Sequence, residues 1–426
     1  MALKLALGSQ LKPNSRSVFR RHPRLSFALP VLVGLLGLLG AWWFVRSWQQ
    51  PDEAAFQLRV SPAASGDGFA LALYQSLGVR LTGGHDVTLV LNGNVFDSIV
   101  ERIDAAKSSV NIAMYIWQKG AASDRVVNAL IARAKTGVRC RILVDDVGSP
   151  DFAETVAPSL LAVGCEVRVF RPVSGADKLA RSHRKLVIVD GAAAITGGFG
   201  IRDTWLGDGI HGGSWRDTNV LFVGPAVSGA QQAFAENWQE AGGGLLPRAA
   251  FPALEVPDSN QAAIGAFPAV RAAFVASSKG VVTRAERLSQ LMISAATRRL
   301  WIANAYFVPS HAILELIKQK ARAGVDVRIL APDKNSDSKT AFGAQHLEYG
   351  ELVEHGVKVW EYTSSMMHAK TMLVDDELAL VGSINLDPLS LTELEENALV
   401  IQDPSFVEEL GQAFSADCSR SKALSK

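Results

Sequence analysis

The chain has 426 residues, of which 48% are hydrophobic and 20% charged, and its formal net charge is +1. This length supports two domains with full cores, and this composition excludes a disordered chain. A near-neutral balance gives no global reason to expect nucleic acid, and three cysteines with no CxxC or Cys/His cluster give no zinc site.

Residues 1–24 form a basic tail carrying Lys4, Lys12, Arg16, Arg20, Arg21 and Arg24. Residues 25–45 contain no charge. As a helix they rise about 30 Å, the hydrocarbon thickness of a bilayer. Trp42, Trp43 and Phe44 suit an interfacial belt. The run is long for a signal peptide and ends in bulky aromatics instead of a small-x-small cleavage site, so it reads as an uncleaved transmembrane anchor. Arg46 follows it, then Asp52 and Glu53. The positive-inside rule then predicts a single pass with the N-terminus cytoplasmic. In a bacterium the catalytic part would be periplasmic, on the inner membrane.

Residues 46–85 read as a linker, with a Ser-Pro-Ala-Ala-Ser-Gly-Asp-Gly loop. A repeat follows. Residues 87–91 predict a strand, 94–107 an amphipathic helix, 110–117 a strand and 124–135 a helix. Gly137 and Gly164 each lead into a further strand. The second half replays this order: Tyr115 recurs as Tyr306, Gly137 as Gly324, Gly164 as Gly356 and His183 as His368, at a spacing of about 190 residues. The domains are expected at 86–245 and 276–416, with an interdomain connection at 246–275 and a polar, frayed tail at 417–426. Strands alternating with helices predict an α/β fold in which each half is a mostly parallel sheet flanked by helices. Cys140 and Cys165 lie in apolar strand-like runs and read as small core residues, a disulfide between them requiring an oxidising compartment.

One motif carries the chemistry. Ser182-His183-Arg184-Lys185 runs into Leu186–Val189 and Asp190, and Met367-His368-Ala369-Lys370 runs into 371–374 and Asp375. Both copies read H-x-K-x4-D. Side chains two apart on a strand share a face, so each histidine stands beside its lysine, and each aspartate falls on the turn. The copies continue into Gly197-Gly198-Phe199-Gly200 and Gly382-Ser383-Ile384-Asn385. Phosphodiester transfer through a covalent intermediate needs a nucleophile, an acid for the leaving group and cations for the phosphoryl oxygens. Two histidines and two lysines supply these, so neither a metal nor a cofactor is expected.

These residues resemble the phospholipase D superfamily, marked by two such motifs, and within it the bacterial cardiolipin synthases. The resemblance runs from about Val90 to Phe414. It implies duplicated phospholipase D/nuclease-type domains with a catalytic set of His183, Lys185, Asp190, His368, Lys370 and Asp375. His183 would form a phosphohistidine, and His368 would protonate the departing alcohol and deprotonate the incoming one. Lys185 and Lys370 would hold the phosphoryl oxygens, and the two aspartates would be structural members. Gly198, Ser383 and Asn385 are the implied substrate-binding residues. Asp217 and Glu396 are the implied carboxylates that orient the histidines, with Glu395 as the alternative to Glu396. The chain departs from the family pattern at Gly200, Leu389 and Leu394, and in having one span where many members have two. The implied activity is a membrane-anchored phosphatidyltransferase using phosphatidylglycerol in a lipid bilayer, with no nucleic acid and no obligate protein partner. A phospholipid hydrolase and a tethered nuclease are the alternatives. Of the other histidines, His22, His85, His311, His346 and His355 are expected to be solvated. His211 lies near the first motif in sequence and is a candidate substrate contact.

Overall fold

The computed structural model describes residues 57–59, 61–172, 180–211, 213–252 and 270–424. The basic tail and the anchor expected at 25–45 lie outside the described residues. Among the described residues no helix is long and apolar enough to cross a membrane.

Among the described residues fifteen strands form one sheet. The first half contributes β1 (Thr82–Leu91), β2 (Ser109–Met114), β3 (Arg139–Asp145), β4 (Glu166–Phe170), β5 (Leu186–Val189), β6 (Ala193–Gly197) and β7 (Thr218–Val223). The second contributes β8 (Val270–Ser277), β9 (Arg299–Asn304), β10 (Asp326–Pro332), β11 (Lys358–Tyr362), β12 (Lys370–Val374), β13 (Leu378–Gly382), β14 (Glu396–Gln402) and β15 (Ser421–Leu424). Their order is β15-β11-β10-β9-β12-β13-β14-β8-β1-β7-β6-β5-β2-β3-β4. The second half thus repeats the first about a join between β8 and β1.

The expectation of mostly parallel sheets is corrected. Among the described residues only β2–β3–β4 and β9–β10–β11 pair in parallel. The other ladders are antiparallel. Helical crossovers explain the parallel part: Ala121–Ala134 joins β2 to β3, while His311–Arg322 and Lys339–Glu354 join β9, β10 and β11. Beyond each motif β7 and β14 return antiparallel after longer loops, while β5–β6 and β12–β13 are joined by tight turns, which force antiparallel pairing. Asp190 and Asp375 make those turns with φ of 56° and 52°, a left-handed conformation that aspartate tolerates better than most residues.

Each strand buries alternate faces. Val187 and Val189 join a core beneath the helices Asn94–Asp104 and Ala121–Ala134, while Leu186 and Ile188 point into a central core. In the second half Leu300 and Ile302 face the helices Arg284–Ala295 and His311–Arg322, while Trp301 and Ala303 enter the same central core. That central layer also takes Phe234 and Trp238 from the helix Val227–Glu240 and Phe406, Leu410 and Phe414 from Pro404–Ser419. The two halves therefore share one core, and that places their motifs against each other.

Five local expectations change. The linker region carries a helix, Asp67–Leu77, because Phe69, Leu73 and Leu77 recur every four residues and bury against the second half. The connection at 246–275 ends inside β8, which pairs with both β1 and β14. The tail at 417–426 is ordered as the end of a helix and then as β15, whose backbone caps the edge of β11. Cys140 and Cys165 are paired in a disulfide with a Cα–Cα distance of 4.7 Å. The parallel register Arg141↔Glu166 sets the two cysteines side by side. His85, expected to be solvated, is also buried, at the join of the halves. Its Nδ1 donates to the Val270 carbonyl at 3.2 Å, and its Nε2 accepts from Ala226 N at 2.9 Å, which fixes a neutral tautomer.

Candidate active site

The two motifs end on the first residues of β5 and β12, and their aspartates lie at the far ends of those strands. Asp190 accepts backbone N–H bonds from Lys107, Ser108 and Ser109 at 2.7–2.8 Å. Asp375 does the same for Thr297, Arg298 and Arg299. Five strand steps separate Lys185 from Asp190, about 16 Å. The aspartates therefore staple each hairpin to the start of β2 or β9, and their place in the catalytic set is structural.

The histidines are stitched to the opposite half. His183 N donates to the Glu395 carbonyl and Glu395 N to the Arg181 carbonyl, both at 2.9 Å. His368 N donates to the Arg216 carbonyl at 2.7 Å and Arg216 N to the Met366 carbonyl at 2.9 Å. Each histidine is thus laid beside the residue preceding a carboxylate of the other half. His183 Nδ1 meets Glu396 at 2.9 and 3.0 Å, and His368 Nδ1 meets Asp217 at 3.3 Å. The carboxylates cross between the halves. A carboxylate only accepts, so Nδ1 carries the proton and Nε2 is left for chemistry. Lys370 Nζ stands 3.0 Å from His368 Nδ1 and also donates to the His368 carbonyl. Lys185 Nζ donates to the His183 carbonyl at 2.7 Å.

All six groups are nearly inaccessible. His183 is 6% exposed and His368 3%, while Lys185, Lys370, Asp217 and Glu396 are at 1% or less. Burial pushes His183 down to about 4, against the pull of Glu396. His368 is also lowered, by burial and then by the Lys370 charge. Burial brings Lys185 down to about 7 and Lys370 to about 8. Burial thus disfavours the charged form of both lysines, and Glu396 and Asp217 oppose that shift.

The implied substrate-binding residues divide. Ser383 Oγ donates to Glu396, and Ser390 Oγ donates to its other oxygen at 2.5 Å, so both hydroxyls fix the carboxylate. Asn385 Oδ1 is buried with no hydrogen-bond partner among the described residues, which leaves it available to a substrate. At Gly198 a Cβ would collide with Asp217 Oδ1 and come within 2.7 Å of the His368 carbonyl, so glycine is needed for close packing of the two halves. Gly200 is overlaid by the Trp205 ring, 2.9 Å from where a Cβ would stand. Glu395 is buried too, and Arg171 donates to it at 2.9 Å. His211 points outward, 81% exposed, and pairs with Asp208 at 2.6 Å.

Sequence reasoning missed the aromatic lining. Tyr115 meets His183 edge-on at 5.0 Å, and Trp205, Trp215 and Tyr306 surround His368 at 5.2, 5.1 and 6.3 Å. The recurrence of Tyr115 as Tyr306 was a signal for two of these; nothing local marks Trp205 or Ser390. Among the described residues no group of three or more His, Cys, Asp or Glu side chains is placed to hold a metal ion.

Stability should fall as the solution is acidified. His85, His183 and His368 all titrate below the ordinary 6.5 when folded, each chiefly through burial. Above about 6.5 they are neutral in both states and contribute no pH dependence. Below it the unfolded chain binds protons that the folded chain refuses, costing up to about 1.4 kcal/mol per pH unit for each histidine. For His183 this continues down to about 4. Lys185 and Lys370 act with the same sign at higher pH, between 10.5 and about 7 or 8. Urea midpoints should therefore drop steadily from pH 8 to pH 5; midpoints that rise over this range would contradict the buried neutral histidines.

A duplicated α/β fold with paired H-x-K motifs meeting at one buried site defines an enzyme of the phospholipase D superfamily. The family model described as "Cardiolipin synthase, PLD-like domain" matches residues 99–207 and 290–418. A cardiolipin synthase of Geobacillus kaustophilus (strain HTA426) is 32% identical over 419 residues, covering 90% of this chain and 81% of that protein. Cardiolipin synthase A of Pseudomonas putida (strain W619) is 30% identical over 387 residues, covering 89% of this chain and 77% of that one. The chain belongs to this cardiolipin synthase family, and it is a phosphatidyltransferase-class enzyme of the phospholipase D superfamily. Its fold is shared by phosphatidylserine synthase of Haemophilus influenzae Rd KW20, with a TM-score of 0.63 at 16% identity over 84% of this chain and 92% of that one.

Proposed function

We propose that the protein makes cardiolipin by transferring a phosphatidyl group through a phosphohistidine to the hydroxyl of a second phospholipid, with phosphatidylglycerol as donor and acceptor. The observation that carries this reading is the crossed support of the histidines. Each has its Nδ1 held by a carboxylate of the other half, with the two lysines beside them. In the first step His183 Nε2 attacks phosphorus, the bond to the head-group oxygen breaks, and that oxygen takes a proton from Nε2 of His368, which enters the step as the imidazolium, protonated from solvent as the phosphodiester anion binds. In the second His368 takes the proton of the incoming hydroxyl, its oxygen attacks phosphorus, and the phosphorus–nitrogen bond breaks. Lys185 and Lys370 balance the phosphoryl charge, and Asn385 binds the substrate through its side-chain amide. Burial of both histidines supports transfer over hydrolysis, because bulk water competes poorly for the adduct in a closed site.

The reading includes residues 25–45 as a bilayer anchor, with the two domains at 86–245 and 276–416 on the periplasmic side. The Cys140–Cys165 pair supports that side, since disulfides persist in oxidising compartments. The test is incubation of the full chain with labelled phosphatidylglycerol in vesicles. Cardiolipin and glycerol should form in equal amounts. Phosphatidic acid as the main product would replace this reading by a hydrolase, and cleavage of an oligonucleotide with no lipid turnover would replace it by a nuclease.

A further inference from the structure

The two histidines are related by an internal repeat, yet their carboxylates are held differently. Glu396 is held by the hydroxyls of Ser383 and Ser390. Asp217 is held by an indole: Trp205 Nε1 donates to its Oδ2 at 2.7 Å. That same oxygen faces His368 Nδ1 at 3.3 Å, while Oδ1 accepts from Thr218 N at 2.8 Å. The Trp205 ring is fully buried and meets the imidazole of His368 edge-on, at 5.2 Å and 84°. It has room to do so because residue 200 is glycine.

A carboxylate oxygen shared between two N–H donors holds each less firmly than it would hold one. The imidazolium of His368 is the species that loses. The titratable and charged groups around it are Lys370 on its own strand, Asp217, Tyr306 with Asp337 hydrogen-bonded to it, and Arg202 over the Trp215 ring. Asp387, Lys185 and Glu396 lie beyond Lys370. Trp205 does not titrate, so its influence is constant with pH.

We propose that Trp205 is a positioning residue that strengthens His368 as a proton donor, by sharing Asp217 through its indole N–H while its ring fixes the imidazole plane. This rests on the reading of His368 as the leaving-group acid. Trp205→Phe keeps the ring and removes the N–H. The alkaline limb of the pH dependence of kcat/KM on phosphatidylglycerol should then move up by about 0.7 pH unit, the shift one net hydrogen bond would give. On the acid side of that limb, where His368 is protonated in both proteins, kcat/KM on phosphatidylglycerol should fall by up to about five-fold, because the weaker acid gives up its proton less readily. The burst of p-nitrophenol from phosphatidyl-p-nitrophenol, whose leaving group needs no acid, should be unchanged. An unshifted limb, or equal losses on both substrates, would overturn the proposal. So would loss of the burst in both Trp205→Phe and Trp205→Tyr, which would make the indole a packing residue only. Failure of the underlying reading looks different: His368→Ala would then lose the p-nitrophenol burst as well.

Discussion

His183→Ala should leave no measurable turnover on any substrate, while His368→Ala should lose turnover only where the leaving group needs a proton. Without His183 no phosphorus–nitrogen bond can form. Without His368 an alkoxide must depart unprotonated, and acid–base assistance of this kind is worth roughly 10²–10⁴-fold. Phosphatidylglycerol turnover should drop by that factor in His368→Ala. On phosphatidyl-p-nitrophenol the same variant should release about one p-nitrophenol per site and then slow, because the base of the second step is missing. Pre-steady-state p-nitrophenol release shows the burst directly. Equal bursts from both variants would contradict the division of labour.

Glu396→Gln should behave like a lesion of His183, although Glu396 belongs to the other half of the chain. The carboxylate sits at 2.9 and 3.0 Å from His183 Nδ1. An amide in its place can present N–H to Nδ1, which moves the ring proton to Nε2 and occupies the lone pair that attacks phosphorus. Losing the correct tautomer in this way costs on the order of 10³–10⁴-fold in related His–carboxylate pairs. The p-nitrophenol burst rate should fall by that much. Asp217→Asn should keep the burst, because Asp217 faces His368. The opposite pattern, with Asp217→Asn losing the burst and Glu396→Gln keeping it, would restore pairing within each half. The fold of Glu396→Gln is checked by its urea midpoint, since Ser383 and Ser390 still have an oxygen to bond.

The pairing of each histidine with its lysine was legible because it is local. A histidine and lysine two residues apart on a strand must share a face, and an aspartate at the turn has backbone N–H groups within reach. The repeat spacing of about 190 residues located the second copy and hence the duplication. The crossing of the carboxylates was not legible. Glu396 and His183 are 213 residues apart, and Asp217 and His368 are 151 apart. Composition and periodicity say which residues carry chemistry, whereas the backbone bridges His183–Glu395 and His368–Arg216 decide who meets whom. Strand direction failed for a related reason. Apolar runs after Gly137 and after His183 look alike, and only the presence of a helical crossover separates a parallel neighbour from an antiparallel one. Trp205 was invisible because the space it fills was announced only by what Gly200 lacks. The ordered C-terminus was missed because β15 is polar, being an edge strand half-exposed beside β11.

The most direct measurement is peptide mapping by mass spectrometry of His368→Ala protein stopped after one burst on phosphatidyl-p-nitrophenol. The account predicts one phosphatidyl group, on the peptide that contains His183, in nearly every molecule. No adduct, or an adduct on His368 in His183→Ala protein under the same conditions, would contradict it.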